Sequence, residues 1–105
     1  MGVMTAGPGF WRSSREHVAL GRAVRELRAR RGLSQDQLGL RSRLHRNYVG
    51  AIERGEINPT FRVLSKLATG LSLPLSELLV VFERHVAEMR DRGEVLDRGE
   101  ALTGG

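Results

Sequence analysis

Ser34 and Gln37 stand three residues apart just after Gly32-Leu33, and this S-x-x-Q spacing is a capping box. The hydroxyl and the amide each serve a backbone group that a starting helix leaves without a partner. A helix must therefore begin at about Gln35, and its pattern carries it only to about Arg41, with Leu38 as the inward anchor and Leu33 as a staple before the cap. After a short turn, residues 46–54 fit another brief helix, with Val49 and Ile52 buried three apart and Gly55 ending it in the left-handed conformation. Longer elements flank these two short helices.

Those elements are legible on both sides. Leu20, Ala23, Val24 and Leu27 make the i, i+3, i+4, i+7 stripe of an amphipathic first helix that stops before Gly32. Asn58-Pro59-Thr60 forms a turn with Thr60 as N-cap of a fourth helix, which turns Val63, Leu64, Leu67, Ala68 and Leu71 inward. Pro74 suits the opening of a fifth, whose stripe runs through Leu75, Leu78, Leu79, Phe82, Val86 and Met89. That stripe is longer than one small domain needs. Leu79, Phe82, Val86 and Met89 are therefore expected to pair two copies of the chain.

The expected architecture is all-α, with a helical domain over residues 15–92. Residues 1–14, with Gly7-Pro8-Gly9 and a serine pair, read as a flexible arm in which Phe10 and Trp11 are the docking candidates; residues 93–105 read as a flexible acidic tail, entered through the first of two Asp-Arg-Gly-Glu copies at 91–94 and 97–100. At 105 residues there is room for one ordinary domain. Cysteine is absent, which removes disulfides and thiolate metal sites, and no apolar run reaches the roughly 18 residues of a membrane span. With no basic-then-apolar leader, the expected compartment is the cytoplasm.

Charge divides the chain. Residues 1–54 hold eleven Arg against four acids, and residues 55–105 hold six basic residues against eight acids. A positive first half suits a polyanion, although an arginine-rich coding bias would give the same count. Placing Val49 and Ile52 inward at 100° per residue turns Asn47, Gly50, Ala51 and Arg54 outward, with Arg46 and Tyr48 on the flanks. Arg46 suits guanine or a phosphate, Asn47 suits adenine, and the Tyr48 hydroxyl suits a phosphate. His45 either caps this helix or meets a phosphate, and Arg43 and Asn58 in the adjoining turns complete the candidate DNA-contacting set. Gly50 costs about 1 kcal/mol relative to Ala in a helix, so close backbone approach is expected there, to DNA or to another helix.

From Leu20 to Leu79 the chain resembles the Cro and lambda-repressor-like helix-turn-helix regulators. The resemblance is carried by Val24-Arg25-Glu26-Leu27-Arg28, Gly32-Leu33-Ser34-Gln35, Leu38, Ile52-Glu53-Arg54-Gly55, Asn58-Pro59-Thr60 and Leu75-Ser76-Glu77-Leu78. Leu44 to Gly50 together with Ile52-Glu53-Arg54-Gly55 looks particularly like the controller proteins of restriction–modification systems, dimeric regulators of this fold. It implies a five-helix lambda-repressor-like domain with a long C-terminal fifth helix. It further implies that Gln35 touches a phosphate, that Arg46, Asn47 and Tyr48 meet an operator, and that Arg28 and Glu53 bridge the first helix to the end of the third. The chain departs from the family at Gly39, where Ala is usual, at Arg43-Leu44, where Gly is common, at Gly50, which lacks a side chain that often contacts a base, and at Ser72, which replaces a helix-ending Gly.

The function so implied is a sequence-specific, double-stranded-DNA-binding regulator acting as a homodimer on a palindrome. The alternative is an antitoxin-like or adaptor module whose fifth helix binds another protein. His17, His45 and His85 lack paired spacing, and no phosphate loop, nucleophile elbow or carboxylate pair is present, so neither metal, cofactor, small-molecule ligand nor catalysis is expected.

Overall fold

The computed structural model describes residues 14–93, which form five helices and no strand: α1 Arg15–Arg30, α2 Gln35–Ser42, α3 Arg46–Glu53, α4 Phe61–Gly70 and α5 Leu75–Asp91. Phe10, Trp11 and the rest of the arm through residue 13, and the tail from residue 94, lie outside the described residues.

Four of the five starts carry a side-chain cap. The Ser34 hydroxyl accepts from Gln37 N–H at 3.0 Å while the Gln37 amide oxygen accepts from Ser34 N–H at 2.8 Å. Thr60 accepts from Val63 N–H, and His45 Nδ1 accepts from Asn47 N–H at 2.9 Å. The fourth cap was not expected: Ser14, assigned by its sequence to the arm, accepts from His17 N–H, and His17 Nδ1 accepts from Ser14 N–H in return. A histidine thus fills the place that Glu or Gln holds in the usual box. Consequently α1 begins at Arg15, a turn and more before its apolar stripe.

The core is built from one side of every helix. Val24, Leu38, Val49, Ile52, Leu67, Leu71 and Leu78 are each at most 1% exposed, and at roughly 2 kcal/mol for each buried aliphatic side chain they dominate the favourable side of folding. Backbones also approach closely. A Cβ on Gly21 would lie 2.5 Å from the carbonyl oxygens of Ile52 and Glu53, so α1 crosses the end of α3 at a distance that only glycine allows. Gly39 is similar, since a Cβ there would lie 2.5 Å from Leu44 O. This explains two departures together: Leu44 N–H bonds Gly39 O at 2.8 Å, and Arg43 takes the left-handed conformation at φ 60°, so the tighter turn and the missing methyl belong to one arrangement.

Helices α1 and α5 pack against each other. Arg31 donates to Ser72 O just ahead of α5, and Glu26, one turn earlier in α1, meets Arg84 and His85 further along α5. The α1–α5 packing is the most extensive between any two helices, and Met89 near the end of α5 is fully buried. This corrects the expected pairing surface. Met89 is buried inside the chain and Phe82 packs against the core, because α1 covers much of the stripe that its length suggested was left for a second copy. Val86 is half-buried, whereas Leu79 at 38% and its neighbour Val80 at 65% remain exposed.

Candidate nucleic-acid interface

The geometry of α3 is set from behind. Val49 and Ile52 anchor it in the core, and Glu53 at its last turn receives two bonds from Arg28, Nε to Oε2 at 2.6 Å and Nη2 to Oε1 at 3.0 Å. Arg28 also donates Nη1 to Leu33 O at 2.8 Å, so one guanidinium ties α1 to the end of α3 and to the approach to α2. The hydrogen bonds to Glu53 raise the pKa of Arg28 above its already high ordinary value, against the opposing effect of burial. Gln35 Nε2 donates to Glu53 Oε1 at 2.9 Å and closes the triangle.

With its inner side fixed, α3 presents Arg46 and Asn47 to solvent at its N-terminal turn, Tyr48 half-buried against the core, and Ala51 partly exposed. These lie together at one end of the α2–α3 unit. His45 is exposed beside them, although its Nδ1 is occupied by the cap. Asn58 is exposed ahead of α4.

Four candidates sit differently from expectation. Gly50 points outward as its phase requires but is buried, because the Gln35 amide and the Arg54 guanidinium lie over it; a Cβ would meet Arg54 Nη1 at 3.1 Å and Gln35 Oε1 at 3.4 Å. Its close neighbours are therefore side chains of its own domain. Gln35 is held by Glu53 rather than left free for a phosphate, and Arg54 is paired with Glu56 at 2.8 Å on the surface. Arg43 is set apart from the α3 group: it lines a cavity between α2 and α4 to which α3 contributes no residue.

Sequence reasoning missed two features. Phe61 and Leu40, at 72% and 74% exposure, sit off the inward stripes of their helices, which a wheel projection of α4 and α2 would have revealed. The grouping of Arg43 with Arg62 and Lys66 joins positions too far apart for any spacing rule. Among the described residues, no three His, Asp or Glu side chains gather as a metal site, and no single helix is long and apolar enough to cross a membrane.

This arrangement, two short helices locked at a fixed angle with a polar N-terminal turn outward, is the geometry of a DNA-reading motif. The helix-turn-helix family profile matches residues 24–78, more than half of the chain. The chain belongs to the Cro/C1-type helix-turn-helix family of DNA-binding transcription regulators. Among its helix-turn-helix relatives, control protein C.SmaI of Serratia marcescens is 45% identical over 56 residues, which cover 53% of this chain and 67% of that one. The transcriptional regulator SlrR of Bacillus subtilis is 38% identical over 60 residues, 56% of this chain but only 40% of its own length. In structure, the restriction–modification controller protein C.AhdI of Aeromonas hydrophila shares 45% identity with a TM-score of 0.58, covering 59% of this chain and 94% of that one. The clp gene regulator ClgR of Corynebacterium glutamicum superposes with a TM-score of 0.71 over 84% of this chain and 93% of its own, at 24% identity, and so speaks for the helix-turn-helix fold alone. These relatives are regulators rather than enzymes.

Proposed function

We propose that the protein is a sequence-specific regulator that binds double-stranded DNA in the cytoplasm as a homodimer on a palindromic operator. The observation that carries this reading is the α3 N-terminal turn, where Arg46 and Asn47 are exposed at the end of a helix whose opposite side is locked by Val49, Ile52 and Glu53. Arg46 reads a base edge or grips a phosphate, Asn47 suits adenine, and Tyr48 and the exposed His45 flank them. Asn58 and, after release from Glu56, Arg54 add backbone contacts. Gln35 acts indirectly, by fixing the start of α2 on Glu53.

Dimerisation through α5 centres on Leu79 and Val80, with Val86 at its edge, since these are the apolar side chains the domain leaves uncovered there. A two-fold pair places the reading helices about 34 Å apart, on half-sites one DNA turn apart. The likeness to restriction–modification controller proteins supports a regulator of that kind.

The test is selection of bound duplexes from a random library, followed by titration of the recovered sequence. A palindrome with half-sites one turn apart is expected, and Arg46→Ala is expected to weaken its binding by about 1–3 kcal/mol while affecting unrelated DNA less. Equal weakening on all sequences would reassign Arg46 to a phosphate; sequence-blind binding by the unaltered protein would sink the operator reading.

A further inference from the structure

A cavity of about 320 Å³ opens between the C-terminal end of α2 and the outer side of α4, and its chemistry is one-sided. Four of its lining residues are cationic, Arg41, Arg43, Arg62 and Lys66, and no acid lines it. Ser65 and Thr69 add hydroxyls from α4, and Ser42 forms part of the wall. Its hydroxyl is buried against Gly70 with no hydrogen-bond partner, where a Cβ on Gly70 would lie only 2.0 Å away. We infer that this cavity is a binding site for a small soluble ligand bearing two adjacent phosphoryl groups, an inorganic or nucleoside diphosphate in chemical class.

The cations divide by what holds them. Arg41 is spent on the fold: Nε donates to Gly70 O at 2.8 Å and Nη2 to Ser72 Oγ at 2.8 Å, so it contributes a fixed positive field. The side chains of Arg43, Arg62 and Lys66 have neither a hydrogen bond nor an ion pair among the described residues, although this chain pairs many of its other arginines with acids. Arg62 and Lys66 are one turn apart on α4, where a solvated helix face alone would account for them. It does not account for Arg43.

Arg43 occupies the left-handed region, which costs a residue other than glycine about 1–3 kcal/mol. The described residues contain one other non-glycine residue with positive φ, Ser72, and its hydroxyl and carbonyl are used by Arg41 and Arg31. Arg43 takes its conformation as the C-cap of α2, and from that turn its side chain lines the cavity with Arg62 and Lys66.

The ligand class follows from charge. Three uncommitted cations in the field of a fourth call for about three negative charges, more than one phosphate monoester supplies. The assignment to a soluble ligand rather than a duplex rests on the lining, which takes no residue from α3.

Inorganic pyrophosphate titrated into the full chain by calorimetry at constant ionic strength tests this, with amide shifts followed at Ser65, Lys66 and Thr69. One saturable site per chain is expected, weakened at least tenfold in Arg62→Gln/Lys66→Gln and persisting when the protein is saturated with operator DNA. Absence of saturable binding, or equal binding by the double variant, would overturn the site. Competition between pyrophosphate and DNA would overturn the soluble-ligand assignment and make the cavity part of the DNA surface; the double variant would then flatten the salt dependence of DNA binding. Thermal melts of the double variant and of Lys66→Gln alone establish that any loss occurs in folded protein.

Discussion

Glu53 and Glu26 both tie α1 to the rest of the domain, yet they do so in opposite environments. Glu53 is 3% exposed, holds Arg28 through both carboxylate oxygens and Gln35 through one, and joins three helices behind the reading turn. Glu26 is 24% exposed and meets Arg84 at 2.6 Å and His85 at 2.7 Å, with Arg30 of its own helix also in contact, bracing α1 to α5 at the surface. A buried carboxylate with its acceptor sites filled acts as a rigid fixture, while a surface cluster is screened by salt and titrated by protons. The motif that addresses DNA is therefore insulated from solvent conditions, and the α1–α5 brace is exposed to them.

The largest effect is expected from Glu53→Ala. It strands the Arg28 guanidinium in a mostly buried position and frees Gln35, so unfolding in urea should show a loss of about 3–5 kcal/mol. A loss below about 1 kcal/mol would mean that Arg28 reaches water without cost and that Glu53 is no fixture. Next comes Gly21→Ala, which thrusts a methyl against the carbonyls of Ile52 and Glu53, backbone atoms that cannot swing aside. About 1–3 kcal/mol of destabilisation is expected from this overpacking, with the crossing of α1 and α3 opened. A neutral result would show that the two helices can slide apart freely, contrary to the fixed geometry that the Glu53 triangle imposes.

How much of this was legible depended on whether the cause was local. Ser34, Thr60 and Gly55 announce their helix boundaries because caps act over three or four residues, and the inward stripes of α1 and α4 repeat within one helix. Ser14 escaped because its partner is a histidine. Arg28 with Glu53 was legible only through the family resemblance, being 25 residues apart in sequence. The shielding of Gly50 was hidden because it depends on where Gln35 rests after bonding Glu53, and the burial of Met89 because it depends on tertiary packing around α5. The Arg43, Arg62 and Lys66 cluster required the packing of α2 on α4.

Gly50→Ala separates a crowded glycine from a merely covered one. Its new methyl would meet the ends of Arg54 and Gln35 rather than backbone, while the helix gains up to about 1 kcal/mol from losing a glycine. Stability equal to or slightly above the original is expected in a thermal melt. A clear loss would mean that Gln35, pinned by Glu53, cannot yield, extending the rigid triangle across the outer surface of α3.

The effect of Glu26→Gln is small and carries a pH signature. Burial pushes the Glu26 carboxyl up, but hydrogen bonds from His85 and Arg84 and the charges of Arg84 and Arg30 together outweigh it, leaving the pKa below the ordinary value. A lowered pKa favours the folded state whenever the unfolded chain would bind the proton more readily. The contribution is complete above the ordinary glutamate range, about 4.3, and disappears as pH falls through the lower pKa of the folded protein. The unaltered protein should therefore exceed Glu26→Gln by up to about 1 kcal/mol at neutral pH and low salt, with the gap narrowing in acid and in high salt. Persistence of the gap below the folded pKa would assign Glu26 a hydrogen-bonding role independent of its charge, and the contrast with Glu53 would then be one of burial alone.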